Sequence, residues 1–421
     1  MTEHILCVGG VRELPGVLRG LAADVRISVL AQHAVTSSLR EPESFLRVTG
    51  LDADDDPALW TDAALALDEA DPVTRVAAFG ERDQHRAAAV AQALGLPMHS
   101  PQTVAWVHHK PAMRARLAEC GVDDTPAAVV RDADELREFV REHGYPCIAK
   151  PAVGAGSFGV RRILGPGDVA EAFRAAAEPT AWTSGGVLVE VLHQGPQFSV
   201  EAFSEAGRHQ VVCVTRKYSE PRCYVELGHV APAGLAPADQ EAVAAYVGEV
   251  LTALGIAFGP THTELVLTAD GPRIIETHIR LAGDDIPYLV RDALGVDLVR
   301  YTARQSLGER GLLDELRAEL ALAAAAAPRH AAVWYAVTQA AALLESVSGE
   351  DRVRALEHVD EVKVFFGPGD VLEPLASSDS RLALVRTHAP TPALALELAR
   401  DAVAALEFRS LLHTRVGCEP V

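Results

Sequence analysis

Over its first hundred residues the chain alternates short apolar, β-branched runs with helix-like ones, in the order HILCVGG, RELPGVLRGLAA, VRISVL, PALWTDAALALDEA, TRVAAFG and ERDQHRAAAVAQALG. Strict alternation of this kind leaves little choice of fold. Successive strands joined through helices lie parallel, so the segment is expected to be a βαβ unit with a parallel sheet. The VGG after the first strand is an incomplete GxGxxG and reads as a strand-to-helix turn rather than a dinucleotide site.

From about residue 106 the pattern changes. Helical PQTVAWVHHKPAMRARLAEC and DADELREFVREHG surround the strand-like AAVV and YPCIAK, and then strands cluster in GVLVEVL, QFSVEAFS and RHQVVCVTRKY. Clustered strands and helices point to an α+β domain with antiparallel sheet. An alanine-rich helix, roughly Leu312 to Ala327, leads into a last mixed segment with HAAVWYAVT, VKVFFGPGDVL and RLALVRTHA. The expected domains are therefore 1–105 (α/β, parallel), 106–325 (α+β, with a subdomain at about 125–192) and 326–421 (small, α+β).

Charge excludes some functions. With 38 Lys plus Arg against 58 Asp plus Glu, the net charge is −20, and a polyanion such as nucleic acid is disfavoured. No run approaches the roughly 18 apolar residues of a membrane span, and MTEHILCVGG lacks the basic start of a signal peptide, so a cytoplasmic location is expected. The six cysteines form no CxxC pair and read as free thiols.

Two stretches carry chemistry. In ELVLTADGPRIIE the TADG turn signal separates two strand-like runs, and a hairpin centred on Asp270 sets Glu264 opposite Glu276. Side chains alternate along a strand, so His278 and Arg280 are expected on the face of Glu276. Paired carboxylates on one face need a cation, which a divalent metal, Arg280 alone or solvent would supply. The second stretch, KPAVGAGSFGV, follows the strand that ends at Lys150 and reads either as a phosphate-covering loop or as a simple hairpin turn. Lys217 and Tyr218 in TRKYSE read equally as pocket residues or as a solvated strand end, and His108 with His109 as the approach to Lys110.

In their order along the chain, HHKPAMRARLAECGVDDTP, YPCIAKPAVGAGSFGV, VLVEVL, YVELGHVAPAGL and ELVLTADGPRIIETHIRLAGDDIPYLV resemble the ATP-grasp superfamily, and within it the carboxylate-amine ligases of the L-amino acid ligase type. The resemblance implies a pre-ATP-grasp domain, an ATP-grasp domain and the ligases' C-terminal domain. It implies ATP and Mg²⁺, with Mn²⁺ as an alternative ion, and an acyl-phosphate route to a dipeptide or γ-glutamyl amide. Lys110 and Lys150 would contact phosphates, under a flap from Gly154 to Gly159 that includes Gly156 and Ser157. Glu190, Val191, Leu192, Gln197 and Val266 would hold the rest of the nucleotide, the Glu190 carboxylate and backbone groups reading the base. Glu264, Glu276 and His278 would be the metal set, His278 standing where the family usually has Asn, an oxygen donor better suited to Mg²⁺. Glu226, His229, Arg280 and Asp284 would meet the substrates, with Arg280 and His229 catalytic. Partners would be small amino acids or amines, with no nucleic acid or membrane; a homodimer is left open. Two alternatives stand beside this: a biotin-carboxylase-like or purine-synthesis enzyme, and a nucleotide-binding regulator without catalysis.

Overall fold

The computed structural model describes residues 3–410 except 12, 54, 155, 157, 179–182 and 222, and for residues 183 and 184 the backbone alone. Ser157 and Cys418 thus lie outside the described residues.

The N-terminal alternation becomes four parallel strands, β1 (His4–Val8), β2 (Arg26–Gln32), β3 (Arg47–Leu51) and β4 (Arg75–Ala77), in the order β3-β2-β1-β4. The helices Pro57–Ala70 and Gln84–Leu94 cover one face, burying Trp60, Ala87 and Val90 against Leu6 and Val8. Leu14 and Leu18 of the helix Leu14–Leu21 pack on the other face with Ile5 and Cys7. Each face of a parallel sheet needs such cover.

A four-stranded antiparallel sheet follows, built from β5 (Ala127–Val130), β6 (Cys147–Gly154), β7 (Arg161–Ile163) and β8 (Thr183–Val191) in the order β5-β8-β6-β7. Strand β6 does not stop at Lys150. It runs through Pro151 to Gly154, paired with β8 up to Gly154 opposite Thr183. The glycine-rich stretch is therefore partly strand, and what remains is the connection of the β6-β7 hairpin. Gly156 and Gly159 take φ of 69° and 72° there, and a Cβ on Gly159 would come within 2.8 Å of the Ala175 carbonyl.

The central sheet has eight strands. Its first five are β9 (Gln197–Glu205), β10 (Arg208–Ser219), β11 (Glu226–Ala231), β12 (Gly259–Thr268) and β13 (Gly271–His278). The C-terminal segment adds β14 (His330–Ala336), β15 (Ala342–Ser348), β16 (Val359–Val364), β17 (Val371–Leu372), β18 (Ala383–Ala389) and β19 (Glu407–Ser410). The order β13-β12-β9-β10-β11-β14-β18-β16 carries three of these into the same sheet, and β17-β15-β19 form a separate small one. One core continues across the join, from Phe203 and Leu227 to Trp334, Val385 and Val403. Gly228 permits the pairing with β14, since a Cβ there would lie 2.2 Å from the Trp334 ring. The alanine-rich helix spans Leu312–Ala325 and Pro328 follows, ahead of β14. Among the described residues no helix is long and apolar enough to cross a membrane.

Candidate active site

The β12-β13 hairpin places Glu264 opposite Glu276, as the spacing predicts, by a less symmetric route. Its tight turn pairs Thr268 with Gly271, which alone would offset the carboxylates by one residue; a bulge beside Ile275 restores the register. Thr263 and Thr277 meet on the opposite face with their hydroxyls 2.7 Å apart, so the faces alternate as expected. The cations on the carboxylates differ from the expected one. Lys110 Nζ lies 2.9 Å from Glu276 Oε2, and Lys217 Nζ lies 2.7 Å from Glu264 Oε2 and 2.8 Å from Glu226 Oε1. Lys217 is thus not a solvated strand end but a buried ammonium between two carboxylates, with its side chain 7% exposed. Strand β13 ends at His278, and Arg280 beyond it points its guanidinium at Glu81 in the N-terminal domain, 2.6 Å away, rather than at the hairpin pair.

Each hairpin carboxylate is backed by an imidazole with a second carboxylate behind it. His262 has Nδ1 2.8 Å from Glu201 and Nε2 3.5 Å from Glu264, and His278 has Nδ1 3.0 Å from Glu81 and Nε2 3.4 Å from Glu276. The two rings are cross-strand partners with centroids 5.9 Å apart. Burial alone would discharge them, but Glu201 beside His262 raises it to about 10, and Glu81 and Glu276 raise His278. Burial would likewise raise both carboxyls, yet Lys217 on Glu264 and Lys110 on Glu276, helped by the imidazoles, hold them well below the ordinary carboxylate range. Both stay ionised, as oxygen donors for a hard divalent ion must. Among the described residues no group of three His, Cys, Asp or Glu is arranged to hold a metal; the available donors are this pair, and both nitrogens of His278 face carboxylates.

The hairpin forms one wall of a cleft of about 900 Å³, part of it open to solvent, whose other walls are the β6-β7 hairpin and the end of β8. Lys110, Lys150, Gly154, Gly156, Glu190, Val191, Leu192, Gln197, Val266, Glu264 and Glu276 all line it, so most of the nucleotide and metal candidates come together in one cavity. Ile148, Phe158, Val160 and Ile274 give it apolar surface. Such a cleft, apolar with a few convergent charges, has the character of a small-ligand site. At its floor Glu190 takes Arg114 in a two-pronged pair, with Nε at 2.8 Å and Nη2 at 3.2 Å, together with Lys150 Nζ at 2.8 Å. Despite burial, which opposes ionisation, the two cations hold Glu190 down to about 2. Arg114 is shared with a second carboxylate, since its Nη1 lies 3.3 Å from the buried Asp123 Oδ1, so two carboxylates match the two cations at the floor. Burial, with Arg114 and Lys110 adding repulsion, nonetheless pulls Lys150 below the usual lysine range. An anion in the cleft beside Lys150 would favour its charged form. The Glu190 carboxylate is committed to Arg114 and Lys150. The Val191 and Leu192 amides already donate to the Pro126 and Pro146 carbonyls, at 3.1 and 3.0 Å.

A second cluster lies where the C-terminal segment meets the hairpin's far end. His229 sits on β11, and its Nε2 is 3.0 Å from Asp284 Oδ2. Arg381 Nη2 holds the other oxygen of Asp284 at 2.8 Å. The sequence assigns no role to Arg381, Arg114, Glu81 or His262. Only the alternation through His262 and Glu264, continued back along β12, offered a local clue.

Known proteins agree with this geometry. Residues 143–287 match the ATP-grasp domain family, and residues 334–410 match the L-amino acid ligase C-terminal domain 2 family. An uncharacterized protein of Sinorhizobium fredii is 28% identical over 328 residues, covering 76% of this chain and 64% of its own length. Dapdiamide A synthase of Enterobacter agglomerans is 25% identical over 68% of each chain. The crystal structure of an L-amino acid ligase from Bacillus licheniformis superposes with a TM-score of 0.81 at 21% identity, over 97% of this chain and 99% of the other. Residues 143–287 thus carry an ATP-grasp domain and residues 334–410 an L-amino acid ligase C-terminal domain, in a chain that shares its fold with an L-amino acid ligase.

Proposed function

We propose that the protein joins the carboxylate of an amino acid to an amine at the expense of ATP, through an acyl phosphate, releasing ADP and phosphate. The observation that carries this reading is the buried Lys150, whose charge burial disfavours, lining one cleft with two ionised carboxylates that each hold a lysine. A triphosphate supplies an anion that favours the charged lysine. A divalent ion fits the hairpin pair, since both are ionised oxygen donors and each now holds a displaceable ammonium. Mg²⁺ held by Glu264 and Glu276 would supply positive charge against the transferring phosphoryl oxygens.

The chain's own residues divide the remaining work. Lys150 and Lys110 bind phosphate oxygens, and the β6-β7 connection covers them. Covering matters because acyl phosphates react with water. Val191, Leu192 and Val266 seat the base. Arg280 stabilises charge on the carboxyl and phosphoryl oxygens as the γ-phosphoryl group passes to the acid. Glu226, now holding the Lys217 ammonium, is a receptor for the α-ammonium of a substrate, and His229 with Asp284 lies on the amine side. His278 serves as a strut between Glu81 and Glu276 rather than as a metal ligand. Dapdiamide A synthase, by its name, makes an amide natural product, which supports a small-molecule amide as the product here.

The test incubates protein, ATP and Mg²⁺ with a matrix of amino acids and amines and follows phosphate release and product mass. Release that requires two co-substrates, with a product equal to their sum less water, is the expected result. ATP left unchanged across the matrix would sink the proposal in favour of a non-catalytic nucleotide-binding protein. Hydroxylamine in place of the amine should trap the activated acid as a hydroxamate.

A further inference from the structure

The loop after Arg280 has two consecutive non-glycine residues in the left-handed region, Asp284 at φ 54° and Asp285 at φ 57°. Such a backbone persists only where its surroundings over-determine it. Here the C-terminal segment does so. Arg381 Nη2 lies 2.8 Å from Asp284 Oδ1, while Lys363 Nζ at 2.8 Å and Arg386 Nη1 at 3.3 Å share Asp285 Oδ2. Arg381 is itself fixed. It is buried, its guanidinium carbon stands 3.8 Å from the Tyr335 ring centroid, and its Nε donates to the Ser378 carbonyl at 2.9 Å.

What Asp284 does with its other oxygen decides the consequence. Oδ2 faces His229 Nε2 at 3.0 Å, and the carboxyl is held ionised against burial by His229 and Arg381. A carboxylate only accepts, so Nε2 carries the ring proton. His229 Nδ1 is buried and has no hydrogen-bond partner. The ring is thus fixed in one tautomer, with an unused nitrogen.

We propose that Arg381 is a positioning residue for amide formation: it locks Asp284 so that His229 keeps Nδ1 bare to take a proton from the incoming ammonium. This rests on the ligase reading above. In that step the ammonium proton passes to Nδ1, and the freed lone pair forms the bond to the acyl carbon. The bond from that carbon to the phosphate oxygen breaks, and the second amine proton leaves with the phosphate. Hydroxylamine is largely unprotonated at neutral pH and needs no such base.

The experiment compares wild type and Arg381→Met on one acid in two assays, amide formation with an amino acid as amine and hydroxamate formation with hydroxylamine. General-base assistance contributes about 10²-fold or more, so the amide rate should fall by that order while the hydroxamate rate and the KM for ATP hold. Arg381→Lys should recover part of the loss. If Arg381→Met does not fold, Arg381→Gln carries the same comparison. Amide and hydroxamate rates that fall by one factor, or that both stay at wild type, overturn the proposal. A wild type that forms hydroxamate from none of the acids supplied overturns the ligase reading, and this inference with it.

Discussion

Glu81 grips Arg280 with one carboxylate oxygen, Oε2, which accepts from both Nε and Nη2 at 2.7 and 2.6 Å. Its other oxygen lies 3.0 Å from His278, so one side chain from the N-terminal domain holds the last residue of the hairpin and one just beyond it. Glu81→Gln keeps the shape and removes the charge. It should lower kcat by about 10- to 100-fold, a small misplacement of a charge-stabilising group, with the KM for ATP little changed. Steady-state phosphate release checks this, and an unaltered kcat would remove Glu81 from the constellation.

The hairpin pair predicts a sharper loss. Glu276→Gln should cost about 10³-fold in turnover, the scale for removing one preorganised electrostatic group, while cooperative unfolding persists. Phosphate release, together with thermal unfolding of the same sample, gives both readouts. Activity near wild type would take Glu276 out of the metal site.

Lys150 at the cleft floor predicts a binding effect. Lys150→Met leaves Glu190 fully paired with Arg114, so the floor should remain intact while ADP binding weakens. Loss of one charge-assisted hydrogen bond corresponds to about 1.5–3 kcal/mol, or roughly 10- to 100-fold in Kd. Calorimetric titration with ADP measures this directly; an unchanged Kd would place the phosphates elsewhere.

His99 offers a test of pH dependence. Its ring stacks on Phe258 with centroids 4.3 Å apart, Nδ1 is buried without a partner, and burial lowers it from 6.5 to about 4. A histidine whose folded pKa lies below its unfolded value contributes fully above the unfolded pKa. That contribution is lost as pH falls through the folded one. The loss should run from pH 6.5 to about 4 and amount to about 3 kcal/mol. His99→Phe keeps the stack and removes the titration. The acid limb of Tm against pH should therefore be shallower in the variant over that window, and parallel curves would refute the assignment.

Much of this was legible in the sequence because it is local. Strand alternation, the TADG turn and the spacing of Glu264 and Glu276 each span a few residues, and period-2 geometry converts them into a shared face. The partners were not legible. Lys217 reaches Glu264 from 47 residues away and Arg114 reaches Glu190 from 76, and nothing near a lysine or arginine in sequence says which carboxylate it will meet. Arg280 shows the limit of strand logic: alternation assigns its face only while the strand continues, and β13 ends two residues earlier. The glycine-rich stretch reads either as a hairpin turn or as a loop covering phosphates; it connects the β6-β7 hairpin, and that hairpin is a wall of the cleft.

The eight-stranded sheet that runs from β13 to β16 bears on how such proteins can be recombined. A swap of C-terminal modules between relatives would cut the chain near Pro328, at an exposed connection, yet it would also replace the strand against which β11 is zipped. Donor and recipient must therefore match along that seam, with a glycine facing the indole, and must match again where Arg381 meets Asp284. Chimeras chosen by linker position alone should misassemble. Those chosen by the seam should inherit the acceptor-side chemistry of whichever parent supplies the C-terminal module.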